Sequence, residues 1–209
     1  MSTALLVFAR APVPGACKTR LVPLLGEVGA ARLYRAFLDD VLRTGVASGF
    51  AVELWCAGDA DDRDLAELSA RHGACRKRQA EGDLGARMGH ALEEALGRHE
   101  RALLIGSDAP TLPVRLLRGA AAALERAPTV FGPSADGGYW LVGAAGNVPR
   151  FDGVRWSTPH ALADTLDRNR RAALLEAWYD VDEPEDLRLL RAHLAVEADI
   201  APATRAALR

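Results

Sequence analysis

Three basic side chains, Arg10, Lys18 and Arg20, fall in one short stretch, RAPVPGACKTR at residues 10–20. Pro12 and Pro14 stiffen this loop, and Gly15 lets backbone come close to a ligand. A lysine offers phosphate a point charge and an arginine offers a planar fork. The stretch reads either as a phosphate cradle or as a solvated basic turn. It contains neither GxGxxG nor GxxxxGK[ST], so the common dinucleotide and P-loop readings fail. A second candidate is Asp108 in IGSDAP, residues 105–110. A carboxylate there can hold Mg²⁺ or Mn²⁺ or cap the helix that starts near Pro113. A third is GPSADGGYW, residues 132–140, where Asp136-Gly137-Gly138 signals a hairpin and can also set bare backbone against a substrate. The fourth is DVDEPEDL, residues 180–187. Asp182 and Glu185 are spaced as a capping pair with Pro184 in the first turn. That leaves Asp180 without a structural duty. Gly82 and Asp83 can present an anion site or simply start a helix. Trp156 and Ser157 can pack over a substrate or into the core. No GxSxG or Cys–His signature supports a Ser or Cys nucleophile.

The elements that must position these residues alternate. Residues 4–9 are a continuous apolar run, expected of a strand buried on both faces. A helix follows with Tyr34, Phe37, Leu38, Val41 and Leu42 on one face. Strands are expected at 51–57, 75–79, 102–106, 129–132, 139–143 and 174–181. Helices are expected at 61–72, 84–96, 114–126, 159–169 and 184–195. This order predicts an α/β fold, a mostly parallel sheet with helices on both faces. In such sheets ligands bind beyond the carboxyl ends of the strands, where Ala9 ends the first strand and Arg10 opens the loop.

The chain has 209 residues, of which 49% are hydrophobic and 26% charged. That size predicts a single domain, 1–209, with one full core. A net charge of −2 gives no overall basic field for nucleic acid. No apolar run approaches the roughly 20 residues of a membrane helix, and no secretory leader pattern precedes the first strand. Cys17, Cys56 and Cys75 are unclustered, which suits a reducing cytoplasm.

FARAPVPGACKTRL, EGDLGARM, GSDAPTL, GPSADGGYWLVG and DVDEPEDL stand in the order seen in bacterial GT-A-fold proteins. The chain resembles the family known as radical-SAM/selenodomain-associated, or arsenosugar-biosynthesis, glycosyltransferases, over about residues 5–190. That family is similar to small nucleotidyltransferases such as the phospholactate guanylyltransferases. These share Lys-x-Arg-Leu after the first strand, matched here by Lys18 to Leu21, a metal-binding Asp matched by Asp108, and the late acidic segment matched from Asp180. The resemblance implies the nucleotide-diphospho-sugar transferase fold. It implies a nucleotide or nucleotide sugar held by Ala9, Arg10, Pro12, Gly15, Lys18, Arg20, Gly82 and Asp83. It implies Mg²⁺ or Mn²⁺ on Asp108, Asp180 and Asp182, and a small-molecule acceptor facing Gly137, Gly138, Tyr139, Trp156 and Ser157. Lys18, Asp108 and Asp136 are the expected catalytic residues. The usual DxD metal motif is reduced here to Gly106-Ser107-Asp108.

Three readings follow. The first is a metal-dependent enzyme that moves a glycosyl group from an NDP-sugar to a small acceptor. The second is a nucleotidyltransferase that releases pyrophosphate. The third is a non-catalytic nucleotide-binding protein. None calls for nucleic acid or membrane.

Overall fold

The computed structural model describes residues 2–209. The first apolar run becomes β1 (Thr3–Arg10), buried from Thr3 through Val7. A short 3-10 turn (Thr19–Leu21) and the long helix α1 (Val22–Ala47) follow. Next come β2 (Ala51–Ala57), α2 (Arg63–His72), β3 (Cys75–Arg78), α3 (Leu84–Leu96), β4 (Arg101–Ile105) and α4 (Val114–Ala123). The chain continues with β5 (Thr129–Pro133), β6 (Tyr139–Ala145), α5 (Ala161–Arg168), β7 (Ala173–Leu174), α6 (Pro184–Val196) and α7 (Pro202–Ala207).

The described strands form one sheet in the order β3-β2-β1-β4-β6-β5-β7. β1 pairs in parallel with β2 and β4, and β2 with β3. β6 runs antiparallel to both β4 and β5, while β7 is parallel to β5. The sheet is therefore mostly parallel, with β6 inserted against the common direction. Alternate residues of β1 serve two layers, as the strand period requires. Leu5 and Val7 pack on the α1, α2, α4 and α6 side, with Phe37, Leu65, Leu117 and Leu190. Ala4 and Leu6 pack with Met88, Leu92 and Ala95 of α3 on the opposite face. Each fully buried Leu of this kind contributes about 1.5–3 kcal/mol of apolar transfer. Among the described residues, no helix is long and apolar enough to cross a membrane.

Two expectations need correction. The strand expected at 174–181 shrinks to Ala173–Leu174. Its partner β5 ends in Pro133, which has no N–H for the ladder, and the β5–β6 register shifts at Gly132/Pro133. The segment then leaves β5. Trp178 N–H still donates to Pro133 O at 3.1 Å, but Val181 N–H donates to Asp108 O at 2.9 Å. The second correction is the cap of α6. Glu183, not Asp182, is the N-cap, and Asp186 at N3 completes a reciprocal capping box. Both DxxE and ExxD spacings are present in the sequence, one residue apart, and the second one forms. Pro184 keeps its expected place at the start of the helix. The helix α7 had no counterpart in the sequence reading.

Candidate functional site

The loops at the carboxyl ends of β1, β2 and β4 meet the 134–139 hairpin, the 156–158 segment and the 180–182 segment around one cavity of about 550 Å³. Lys18 is at its centre. Its backbone is left-handed (φ 47°), an uncommon conformation for a residue with a side chain. The side chain is 4% exposed and its ammonium lies 2.5 Å from Asp108 Oδ1 and 2.7 Å from Asp182 Oδ1. Val181 O accepts a third bond at 2.7 Å. The rings of Tyr34 and Phe37 flank the same ammonium at 5.8 and 5.6 Å. Burial opposes the charge on Lys18, but the two carboxylates and their hydrogen bonds outweigh it and hold its pKa above the ordinary lysine value.

Asp108 thus faces Lys18 and does not cap the next helix: Pro113 is the N-cap of α4, which has no side-chain cap. Asp182, relieved of capping by Glu183, also turns to Lys18. Asp180 lines the same cavity. Burial raises its pKa most, and the charges of Asp182, Asp136 and Asp108 add to this, pushing it up to about 6. Two carboxylates therefore hold one buried ammonium, and Asp180 and Asp136 line the same cavity.

Tyr34 and Gln79 fix the strand ends. The Tyr34 hydroxyl accepts from Arg10 N–H at 3.2 Å and shares a 2.8 Å bond with Ser107 Oγ, tying the ends of β1 and β4 together. Its pKa is pushed up to about 12, chiefly by burial. Gln79 Nε2 donates to Trp55 O at 2.9 Å and, more weakly, to Ala9 O at 3.4 Å. It spans the ends of β1 and β2. Its Oε1 accepts from Arg87 Nη1 at 3.0 Å.

On the opposite wall, Asp136 Oδ1 accepts from Ser134 Oγ at 2.5 Å and from Gly138 N–H at 2.9 Å, closing the hairpin turn. Gly137 sits at φ 85°, and a Cβ there would come within 2.2 Å of Pro159 O. The hairpin is therefore pressed against the segment leading into α5. Tyr139 packs edge-on to Trp156, with ring centroids 6.4 Å apart. Ser157 beside it has φ 58°, a second left-handed non-glycine residue on the cavity wall. Gly85 in α3 allows this wall to close, since a Cβ would meet Phe151 Cβ at 2.8 Å and Trp156 Cζ2 at 2.9 Å.

The cavity thus gathers Ala9, Arg10, Lys18, Arg20, Asp108, Asp136, Gly138, Tyr139, Trp156, Ser157, Asp180 and Asp182 from among the expected site residues. Pro12, Gly15, Gly82, Asp83 and Gly137 are not on its lining. Pro12 is buried in the loop, Gly15 takes a left-handed turn against Glu27, and Asp83 is the N-cap of α3, accepting from Ala86 N–H at 2.8 Å. Sequence reasoning missed Tyr34, Gln79 and Arg87. In sequence Tyr34 is only part of an apolar helix face, whereas Arg87 carries a signal in the EGDLGARM block.

The chain aligns in structure with a provisionally assigned nucleotide-diphospho-sugar transferase from Desulfovibrio desulfuricans G20, at 32% identity and a TM-score of 0.85, over 100% of this chain and 95% of that one. It is similar in fold to 4-diphosphocytidyl-2C-methyl-D-erythritol synthase from Anaerococcus prevotii, at 13% identity and a TM-score of 0.59, over 93% and 96%. It is also similar in fold to glucosyl-3-phosphoglycerate synthase from Mycobacterium tuberculosis, solved with Mn²⁺, UDP and its glucosyl product, at 12% identity and a TM-score of 0.55, over 93% and 77%. No functionally curated protein matches the chain. The fold is that of nucleotide-diphospho-sugar transferases and nucleotidyltransferases. Residues 41–158 match the model of one bacterial family, and the chain belongs to it: DUF2064, described as an uncharacterized protein conserved in bacteria.

Proposed function

We propose that this chain is a metal-dependent transferase acting on an activated nucleotide, and that it moves a glycosyl group from an NDP-sugar to a small acceptor. The observation that carries the proposal is the convergence of Asp108, Asp180 and Asp182 on one cavity at the carboxyl ends of β1 and β4. The likeness to a 32%-identical protein of provisional NDP-sugar transferase assignment supports it.

Oxygen donors of this kind suit Mg²⁺ or Mn²⁺. Among the described residues no three His, Cys, Asp or Glu side chains are gathered as a ready metal cage. Mg²⁺ is held in many sites by one or two carboxylates together with phosphate oxygens and water. Asp108 and Asp180 are the residues we assign to hold it, with Asp182 adjoining. A cation bound there supplies neutralisation of the leaving phosphate charge.

The chain's own residues do the rest by position. Lys18 holds Asp108 and Asp182 beside each other and oriented, since its three N–H bonds all go to protein oxygens. It is a positioning residue in this arrangement. Arg10 faces the nucleotide phosphates from the end of β1. Asp136, held by its own turn, is placed to accept a proton from an acceptor hydroxyl. Tyr139 and Trp156 provide an apolar wall that keeps water from the reacting group.

A second reading, nucleotidyl transfer with release of pyrophosphate, is favoured by one feature. The single Asp of Gly106-Ser107-Asp108 replaces a DxD, and a basic first loop adjoins it. The arsenosugar and radical-SAM association implied by the sequence resemblance would place the acceptor among small metabolites. We place the activity in one domain, 1–209, and in the cytoplasm, where the free thiols of Cys17, Cys56 and Cys75 stay reduced. Incubation with NDP-sugars or NTPs, Mn²⁺ and a panel of small acceptors tests the proposal. Free nucleoside diphosphate supports glycosyl transfer. Pyrophosphate supports the second reading. Tight nucleotide binding with neither product supports a non-catalytic protein.

A further inference from the structure

Four cations line the cavity: Arg10, Lys18, Arg20 and Arg87. Their availability differs. Lys18 has every N–H committed to Val181 O, Asp108 and Asp182. Arg20 pairs with Glu183 at 2.8 Å. Arg10 and Arg87 have no carboxylate partner among the described residues. Arg87 is nonetheless held. Its Nη1 donates to Gln79 Oε1 at 3.0 Å, and its Nε makes a long 3.4 Å contact with Asp83 O. Gln79 is 8% exposed and is itself fixed by the backbone oxygens of Trp55 and Ala9. A buried amide bolted to two strand ends is thus spent on orienting one unpaired guanidinium at the cavity wall. The second Nη group of Arg87 has no protein acceptor, so it is free for a ligand.

We infer that Arg87, aimed by Gln79, is a direct ligand of the nucleotide's pyrophosphate, with Arg10 as its companion, and that Gln79 is a positioning residue. The inference rests on the nucleotide reading above and assigns the anion contact that Lys18 has no proton left to make. A guanidinium fork matches phosphate oxygens two at a time, and a fork already oriented loses less freedom on binding.

Calorimetry with inorganic pyrophosphate, and then with UDP, tests it in chelated buffer so that metal plays no part. Wild type is expected to bind both. Arg87→Ala should weaken binding about tenfold or more, the range for a lost hydrogen bond to a charged group. Arg87→Gln, which keeps a donor for Gln79 and so guards against misfolding, should lose as much. Arg150→Ala removes a cation outside the cavity and should leave affinity unchanged. Gln79→Met should weaken binding less than Arg87→Ala does, and adding it to Arg87→Ala should cost nothing further. Wild-type affinity in both Arg87 variants overturns the inference and leaves the transferase reading standing. Absence of pyrophosphate and UDP binding in chelated wild type overturns the inference, and absence with Mn²⁺ added as well overturns the transferase reading too. Additive losses in the double variant remove Gln79 from the role of positioning residue.

Discussion

The ammonium of Lys18 and the carboxylate of Asp182, 164 positions apart in sequence, lie 2.7 Å from each other inside the cavity. Asp108 completes the arrangement at 2.5 Å. Removing Lys18 leaves two neighbouring carboxylates without a counter-charge. Breaking a buried pair costs about 3–5 kcal/mol, but Asp108 and Asp182 are 36% and 47% exposed. Water screening reduces the expected loss for Lys18→Met to about 1–3 kcal/mol. Thermal denaturation in chelated buffer checks this. A loss below about 0.5 kcal/mol would mean that the ammonium is not what holds the two carboxylates.

Asp108→Asn keeps the size of the side chain and removes its charge. Turnover with Mn²⁺ should fall about a hundredfold or more, as is usual when a group that stabilises transition-state charge is lost. Mn²⁺ affinity measured by paramagnetic resonance should fall with it. Full metal-dependent turnover in the Asn variant would remove Asp108 from the metal assignment.

Asp180 and Asp182 should part company on stability. Asp180 has burial and three like charges against it, whereas Asp182 has Lys18 in its favour. Asp180→Asn is expected to stabilise the chelated protein by on the order of 1 kcal/mol, about 2–4 °C for a chain of this size. Asp182→Asn should destabilise it. The same sign of change for both would contradict the charge distribution described here.

Asp40 carries a pH signature remote from the cavity. Its side chain is 1% exposed and accepts the N–H groups of Ala203 at 3.1 Å and Thr204 at 2.7 Å, at the start of α7. Burial raises its pKa above the ordinary 3.8, and the hydrogen bonds only partly oppose this. With the folded value above the unfolded one, the fold favours the protonated form. Stability from this group is therefore full below pH 3.8 and declines as pH rises through the folded pKa. Asp40→Asn should lack that decline, so the melting-temperature difference between variant and wild type should move in the variant's favour across that window. A difference that does not change with pH would exclude the effect.

Gly137→Ala tests the hairpin wall. A left-handed backbone costs a residue with a Cβ about 1–2 kcal/mol, and the 2.2 Å approach to Pro159 O adds a clash with rigid backbone. We expect a loss of at least about 2 kcal/mol in chemical denaturation. A neutral substitution would show that the hairpin is not pressed against the segment before α5.

The sequence made β1, β2, α3 and β4 readable because their apolar periods are local. It also made Asp108 and the basic loop readable, because each follows a buried strand directly. The cap of α6 is not legible because the two capping spacings are offset by only one residue, and local pattern does not choose between them. The choice is made by Lys18, which gives Asp182 another partner. Strand 174–181 was overextended because its composition is right for a strand, while the obstacle, Pro133, belongs to its neighbour. Gln79 and Arg87 carried little local signal as a pair, since Gln79 acts through backbone oxygens 24 and 70 residues away.

The Lys18–Asp182 pair also bears on how the chain is made. At about 5–20 residues per second, synthesis takes on the order of 10–30 seconds to advance from one member to the other. During that interval the nascent chain holds β1 and α1 but has no Asp182, and Val181 has yet to reach Asp108. An ammonium sealed between Tyr34 and Phe37 with two of its three acceptors missing is unfavourable, so the first loop is expected to stay open until they arrive. Closure waits for the C-terminal segment, and a chain arrested before residue 180 would expose the loop to protease at Gly15 and Lys18.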